Sequence, residues 1–215
     1  MEIKYLGHSS FLIKSKTAKL VTDPYDSKEV GIKFPRVEAD VVTISHQHSD
    51  HNQASEVNGT PLVIDMPGEF EKNNFRISGY LSYHDKKKGA ERGENIIYKI
   101  EADGIVCLHC GDLGEIPNRD FIDNAGKIDV LFVPVGGYHS LDADEAVEII
   151  KEIEPSIVIP MHYNAPYINQ KLFGNIAPVE EFIKKIGAEG IAPVSKLIIK
   201  KEDLSGEMKV VVMEP

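Results

Sequence analysis

Eight histidines occur in this 215-residue chain, and three of them fall within one short run, Thr43-Ile44-Ser45-His46-Gln47-His48-Ser49-Asp50-His51. Imidazole is the commonest metal-ligating side chain, and carboxylate suits zinc, manganese and iron alike. Residues two apart at a strand end project to the same side, so His46 and His48 can grip one ion. Asp50 and His51, in the turn that follows, can aim at a neighbouring ion. Three imidazoles and a carboxylate this close together read as a metal centre rather than a polar loop.

Such ligands need a rigid frame. The run Asp40 to Ser45 has the β-branched content of a buried strand and leads straight into the cluster. Further strands are expected at Glu2 to Leu6, Phe11 to Lys14, Ala18 to Thr22, Asn95 to Glu101, Gly104 to His109, Asp129 to Pro134, Ser156 to Pro160, Lys196 to Lys200 and Met208 to Met213. Helical signals lie in the second half. Ala146, Ile149, Ile150 and Ile153 make one apolar stripe in a helix over Asp144 to Ile153, with Asp142 or Asp144 as its cap and Pro155 as its stop. A second helix runs from Pro178, which suits a first helical position, to Gly187, with a stripe of Val179, Phe182, Ile183 and Ile186. No composition break or repeat divides the chain, so residues 1–215 read as one α/β domain.

Composition narrows the function. Hydrophobic residues make up 42% and the formal net charge is −10, which disfavours a general nucleic-acid binder. No apolar run approaches the roughly 20 residues that span a bilayer. Nor does Met1-Glu2-Ile3-Lys4-Tyr5-Leu6 have the marks of a secretory signal, so the expected location is the cytoplasm. Cys107 and Cys110 are the only cysteines. They read as buried strand residues, because a zinc knuckle would want a second pair.

The pattern H-x-H-x-D-H over His46 to His51 resembles the signature of the metallo-β-lactamase superfamily, and the rest of the chain follows its order as far as Tyr163. Leu6-Gly7-His8-Ser9-Ser10-Phe11, Pro67-Gly68-Glu69-Phe70-Glu71, Arg92-Gly93-Glu94-Asn95 and Pro134-Val135-Gly136-Gly137 resemble the branch of small bacterial hydrolases similar to ascorbate-6-phosphate lactonase. The resemblance implies a four-layer αββα sandwich and a dinuclear centre. His46, His48 and His84 would hold one ion, Asp50, His51 and His162 the other, and Asp112 would bridge them. Asp23 would brace a ligand histidine. Zinc is the expected metal, with manganese or iron(II) as alternatives. The implied reaction uses a metal-bound hydroxide to cleave an ester, lactone, amide or phosphodiester bond of a small molecule, neutral or anionic. Asp50 would handle the proton, and His8 is a candidate proton donor or anion contact. Oxygen-reducing di-iron relatives carry glutamate where this chain has His48, and many true β-lactamases carry cysteine where it has Asp112, so neither activity is expected.

Several alternatives stay open at this level. His109 could replace His84 as the third ligand of the first ion, or be a structural histidine. His139 follows an expected strand end and could reach the cleft rim, with a plain loop histidine as the favoured reading. Lys86 to Arg92 holds four cations, either as a solvated loop or with Arg92 turned toward the metals to bind an anionic group. A nuclease of the same superfamily and a non-catalytic metal-binding protein are the competing functions. The oligomeric state is not legible.

Overall fold

The computed structural model describes residues 1–215. The strands are β1 (Glu2–Gly7), β2 (Ser10–Lys14), β3 (Lys19–Thr22), β4 (Val41–Thr43), β5 (Leu62–Ile64), β6 (Gly68–Lys72), β7 (Phe75–Tyr83), β8 (Glu94–Ala102), β9 (Ile105–His109), β10 (Val130–Pro134), β11 (Ile157–Met161), β12 (Leu197–Ile198) and β13 (Lys209–Val210). The α-helices are α1 (Ser27–Val30), α2 (Arg119–Ala125), α3 (Ala143–Ile153), α4 (Gln170–Phe173) and α5 (Val179–Ile186). One sheet has the order β12-β1-β2-β3-β4-β5, and the other β13-β11-β10-β9-β8-β7-β6.

Side-chain alternation along the strands packs the sheets face to face. Ile3 and Tyr5 of β1, Leu20 of β3 and Val41 of β4 join one core with Ile77, Tyr98, Ile100 and Phe132 of the second sheet. Their neighbours Leu6, Val21 and Val42 point the other way, into a smaller cluster with Val30 of α1 and Phe173 of α4. β10 and β11 are buried throughout, as parallel strands covered on both faces should be. On the outer side of the second sheet, α3 sends Ala146, Ile149 and Ile150, and α5 sends Phe182, into the main core. The result is the expected sandwich, with a thin outer layer over the first sheet. No helix is long and apolar enough to cross a membrane.

The two long helices fall where their stripes put them. Asp142 and Glu145 form a reciprocal capping box at the start of α3. Pro178 stands at the cap of α5, one residue before the first turn, and Gly187 ends that helix in a left-handed conformation. The sequence reading passed over β5, β6 and β7. β7 is nine residues long, but its run Phe75-Arg76-Ile77-Ser78-Gly79-Tyr80-Leu81-Ser82-Tyr83 is diluted by serine and glycine. Cys107 and Cys110 are buried free thiols, raised in pKa by burial, in keeping with a packing role.

Candidate metal centre

Strand ends assemble the site. In the first sheet β1, β3 and β4 are co-directional, because β2 pairs antiparallel with β1 and β3, and β4 pairs parallel with β3. In the second sheet β7, β9, β10 and β11 are co-directional by the same logic. These strands lead into His8, Asp23, the His46–His51 turn, His84, Asp112, the loop carrying His139, and His162 respectively. The turns are sharp. His8, Asp23 and His162 all have left-handed backbones (φ 57°, 38° and 51°), a conformation that costs non-glycine residues on the order of 1 kcal/mol. Long-range bonds hold them there: Asp23 N–H donates to Thr43 O at 2.9 Å and His162 N–H to His8 O at 3.0 Å. Between Cys110 and Asp112 the chain needs Gly111, with φ 58° and no room for a Cβ against Asn95 and Ser45.

Hydrogen bonds fix which nitrogen faces inward in three of the histidines, His46, His51 and His84. Asp23 accepts the Ser45 N–H at 2.8 Å, the Ser45 hydroxyl at 2.6 Å and His51 Nδ1–H at 2.9 Å. Ser45 Oγ has given its proton to Asp23, so it accepts from His46 Nδ1–H at 3.0 Å. His84 Nδ1–H donates to the His139 carbonyl at 3.0 Å. In all three rings Nε2 is the nitrogen left to face inward, and each approaches Asp112 Oδ2, at 3.9 Å (His46), 3.3 Å (His51) and 3.3 Å (His84). His162 Nε2 lies 3.1 Å from the same oxygen. Asn95 sets Asp112 in place by accepting its backbone N–H at 3.0 Å while donating to Cys110 O and Ser82 Oγ.

His46, His48 and His84 form one group of converging ligand atoms, all within 4.8 Å of one another. His8, Asp50, His51 and His162 form a second, and His46, His51 and Asp112 a third that joins them. Nε2 of His46, Nε2 of His51 and Asp112 Oδ1 are buried without a hydrogen-bond partner. Buried orphan acceptors are costly unless something satisfies them, and converging lone pairs from imidazole and carboxylate are what a divalent cation satisfies. The donor set fits metal ions.

Charge is shared across the cluster: burial opposes protonation of His51 and His84, yet Asp112 outweighs it and raises both, so a metal ion would displace protons there. Burial, with the charge of His51, pushes His46 well below its usual pKa, which keeps it in the neutral form that ligates metal. Burial opposes the ionisation of Asp112, yet His162 and His51 outweigh it and hold that carboxyl well below the usual range. Asp50 behaves likewise, with His51 and His8 as the opposing partners.

The centre opens into a cleft of about 500 Å³ whose lining includes His48, Asp50, His84, Asp112, Arg92 and Leu172. A larger groove of about 880 Å³ lies elsewhere, over Lys4, Leu12 and Ile32 on the outer side of the first sheet. His8 does not line the cleft. It is wholly buried beneath Asp50, with Nε2 2.9 Å from Asp50 Oδ2 and its ring 4.4 Å from that of His162. His109 stands outside the cluster. Its Nε2–H donates to Ser9 O at 2.9 Å, its Nδ1 accepts from Gly111 N–H at 3.3 Å, and its ring packs near Phe11 and Phe132. His139 is no plain loop histidine, since its carbonyl holds His84 and its ring meets the Arg92 guanidinium. Burial and the Arg92 charge lower its pKa to about 4. Sequence reasoning missed Ser45, Asn95 and Ser82 as supporting residues. A serine directly before His46, and an asparagine opening a β-branched run, were the only signals.

A family model described as a β-lactamase superfamily domain matches residues 2–162. The chain belongs to the metallo-β-lactamase superfamily. Another superfamily member, from Thermotoga maritima, is 36% identical, with 99% of this chain and 97% of that one covered and a TM-score of 0.82. A metal-dependent hydrolase of Nanoarchaeum equitans is 30% identical over 94% of this chain and 98% of its own. One from Archaeoglobus fulgidus is 26% identical over 93% and 96%. Within the superfamily, then, the chain groups with metal-dependent hydrolases along nearly its whole length.

Proposed function

We propose that this metal-dependent hydrolase holds two divalent ions, zinc foremost, and cleaves an ester, lactone, amide or phosphodiester bond of a small molecule. His46, His48 and His84 would hold one ion and Asp50, His51 and His162 the other, with Asp112 between them. Such a pair of ions supplies hydroxide at neutral pH and polarises the carbonyl or phosphoryl oxygen under attack. The protein's own groups do the rest. Asp50 lines the cleft as an ionised carboxylate and is the acceptor for the proton released by the attacking water and the donor to the leaving group. His8 Nε2–H holds Asp50 Oδ2 in place and acts by positioning it. Asp23, Ser45 and the His139 carbonyl hold Nδ1 of His51, His46 and His84 and so aim their Nε2 atoms inward. The observation that carries this reading is the set of inward-facing Nε2 atoms, two of them buried without a hydrogen-bond partner, around one buried carboxylate.

Elemental analysis after saturation with zinc or manganese, combined with turnover of p-nitrophenyl esters and bis(p-nitrophenyl) phosphate, tests it. The expected result is two ions per chain and activity that rises with loading. A content that stops at one ion, with no activity gained on adding metal, refutes the dinuclear mechanism.

A further inference from the structure

We infer that Arg92, backed by His139 and fixed by Asp85, forms a subsite at the cleft rim for an anionic group, carboxylate or phosphate, on the substrate. The inference rests on the hydrolytic centre proposed above and assigns its substrate class.

The loop after His84 looks like a mobile basic stretch, but its backbone is anchored. Asp85 Oδ1 accepts N–H groups from Lys87 at 2.7 Å and Gly89 at 3.0 Å, and Oδ2 those of Glu91 at 3.0 Å and Arg92 at 2.7 Å. His84 N–H closes the loop onto Gly93 O at 3.1 Å. The residue directly after a proposed ligand therefore sets the geometry of the whole segment. Two of its lysines are spent on carboxylates, Lys86 on Glu145 and Lys87 on Glu91. Arg92 makes no salt bridge within 4.0 Å. It is half-buried and lines the same cleft as His48, His84 and Asp112.

Its one side-chain partner is His139 Nε2. That nitrogen can accept from a guanidinium only as a lone pair, so the partner is neutral and leaves the arginine's charge uncancelled. A guanidinium has five N–H donors in a planar fork, and most remain unused here. A fixed, charged, under-used fork beside a reaction centre matches a carboxylate or phosphate bidentately. A purely structural arginine joining two loops would look alike in its contact with His139 but would not discriminate between substrates.

The test uses metal-loaded protein and p-nitrophenyl esters whose acyl chains are neutral, carboxylate-bearing or phosphate-bearing, which separates the two anions. The readout is the ratio of kcat/KM on an anionic ester to that on the neutral one. Wild type should prefer at least one anionic ester. In Arg92→Ala that ratio should fall by about tenfold to a hundredfold, mainly through KM, as loss of charge-assisted hydrogen bonds predicts. Arg92→Lys should fall between, and Lys87→Ala should stay within about twofold of wild type, as expected for an exposed surface charge. Calorimetric titration with phenyl phosphate gives a second readout, with about tenfold weaker binding expected in Arg92→Ala. Should Arg92→Ala not fold, Arg92→Lys carries both measurements. Equal ratios and equal phenyl phosphate affinity in wild type and the Arg92 variants overturn the subsite. No turnover of any ester, with Arg92-dependent phenyl phosphate binding retained, counts against the hydrolase reading and leaves the subsite standing.

Discussion

Asp23 Oδ2 accepts from both the Ser45 hydroxyl and His51 Nδ1–H, and this double duty makes it sensitive to the smallest substitution. Asp23→Asn with its amide nitrogen at that position would face two donors with a donor. His51 would then move its proton to Nε2, where no metal can bind. Metal affinity should fall about tenfold to a hundredfold, measured by competition with a chromophoric chelator; unchanged affinity would show that the brace is dispensable. His8 gives a second residue-level prediction. Burial, then the charge of His162, lowers its pKa to about 4 from an ordinary 6.5. Falling pH therefore protonates the unfolded chain first, and stability is lost between those two values. In metal-free protein this loss amounts to about 3 kcal/mol. Urea denaturation from pH 7 to pH 4 should show a shallower decline for His8→Gln than for wild type, and parallel curves would sink the assignment.

At the scale of elements, β7 carries His84 to the site, and its start depends on a two-residue turn. Asn73 and Asn74 both have left-handed backbones (φ 50° and 68°), with Lys72 paired to Phe75 across the hairpin. Two consecutive positive φ angles define the turn type whose twist suits a hairpin, and asparagine tolerates them. Asn74→Ala should cost about 1 kcal/mol and Asn74→Gly less than about half of that, read from urea midpoints. Equal costs for both would mean that the side-chain contacts of Asn74, and not its backbone angle, hold the hairpin. This turn was also the legible sign of β6 and β7. The weak apolar content of the flanking runs hid them, because β6 is largely exposed and β7 only partly buried.

Across the whole molecule, the proposed ligands come from opposite halves of the sandwich. His46, His48, Asp50 and His51 follow a strand of the first sheet, and His84, Asp112 and His162 follow strands of the second. Ions held there would join the two sheets at the edge where the core gives way to the cleft. Binding to the folded state alone at a thousandfold excess over Kd would add about 4 kcal/mol of stability per ion. For a chain of this size that corresponds to a rise in Tm of about 10 °C. Scanning calorimetry with and without a chelator measures it, and identical transitions would mean that the cluster is not a metal site spanning both sheets.

What the sequence determined by itself was local. The His46–His51 run holds its ligands within one turn, and the stripes of α3 and α5 recur at helical spacing, so neither needs knowledge of a distant residue. The tertiary structure decided what depends on pairing. His109 and His84 both close a strand before Asp112, and motif order cannot separate them. Pairing of β9 with β8 and β10 turns His109 inward between the sheets, among Phe11 and Phe132, whereas β7 delivers His84 to Asp112. Arg92 and His139 are 47 positions apart, and Asp23 and His51 are 28 apart. Only the closing of two sheets around one set of strand ends brings such residues together.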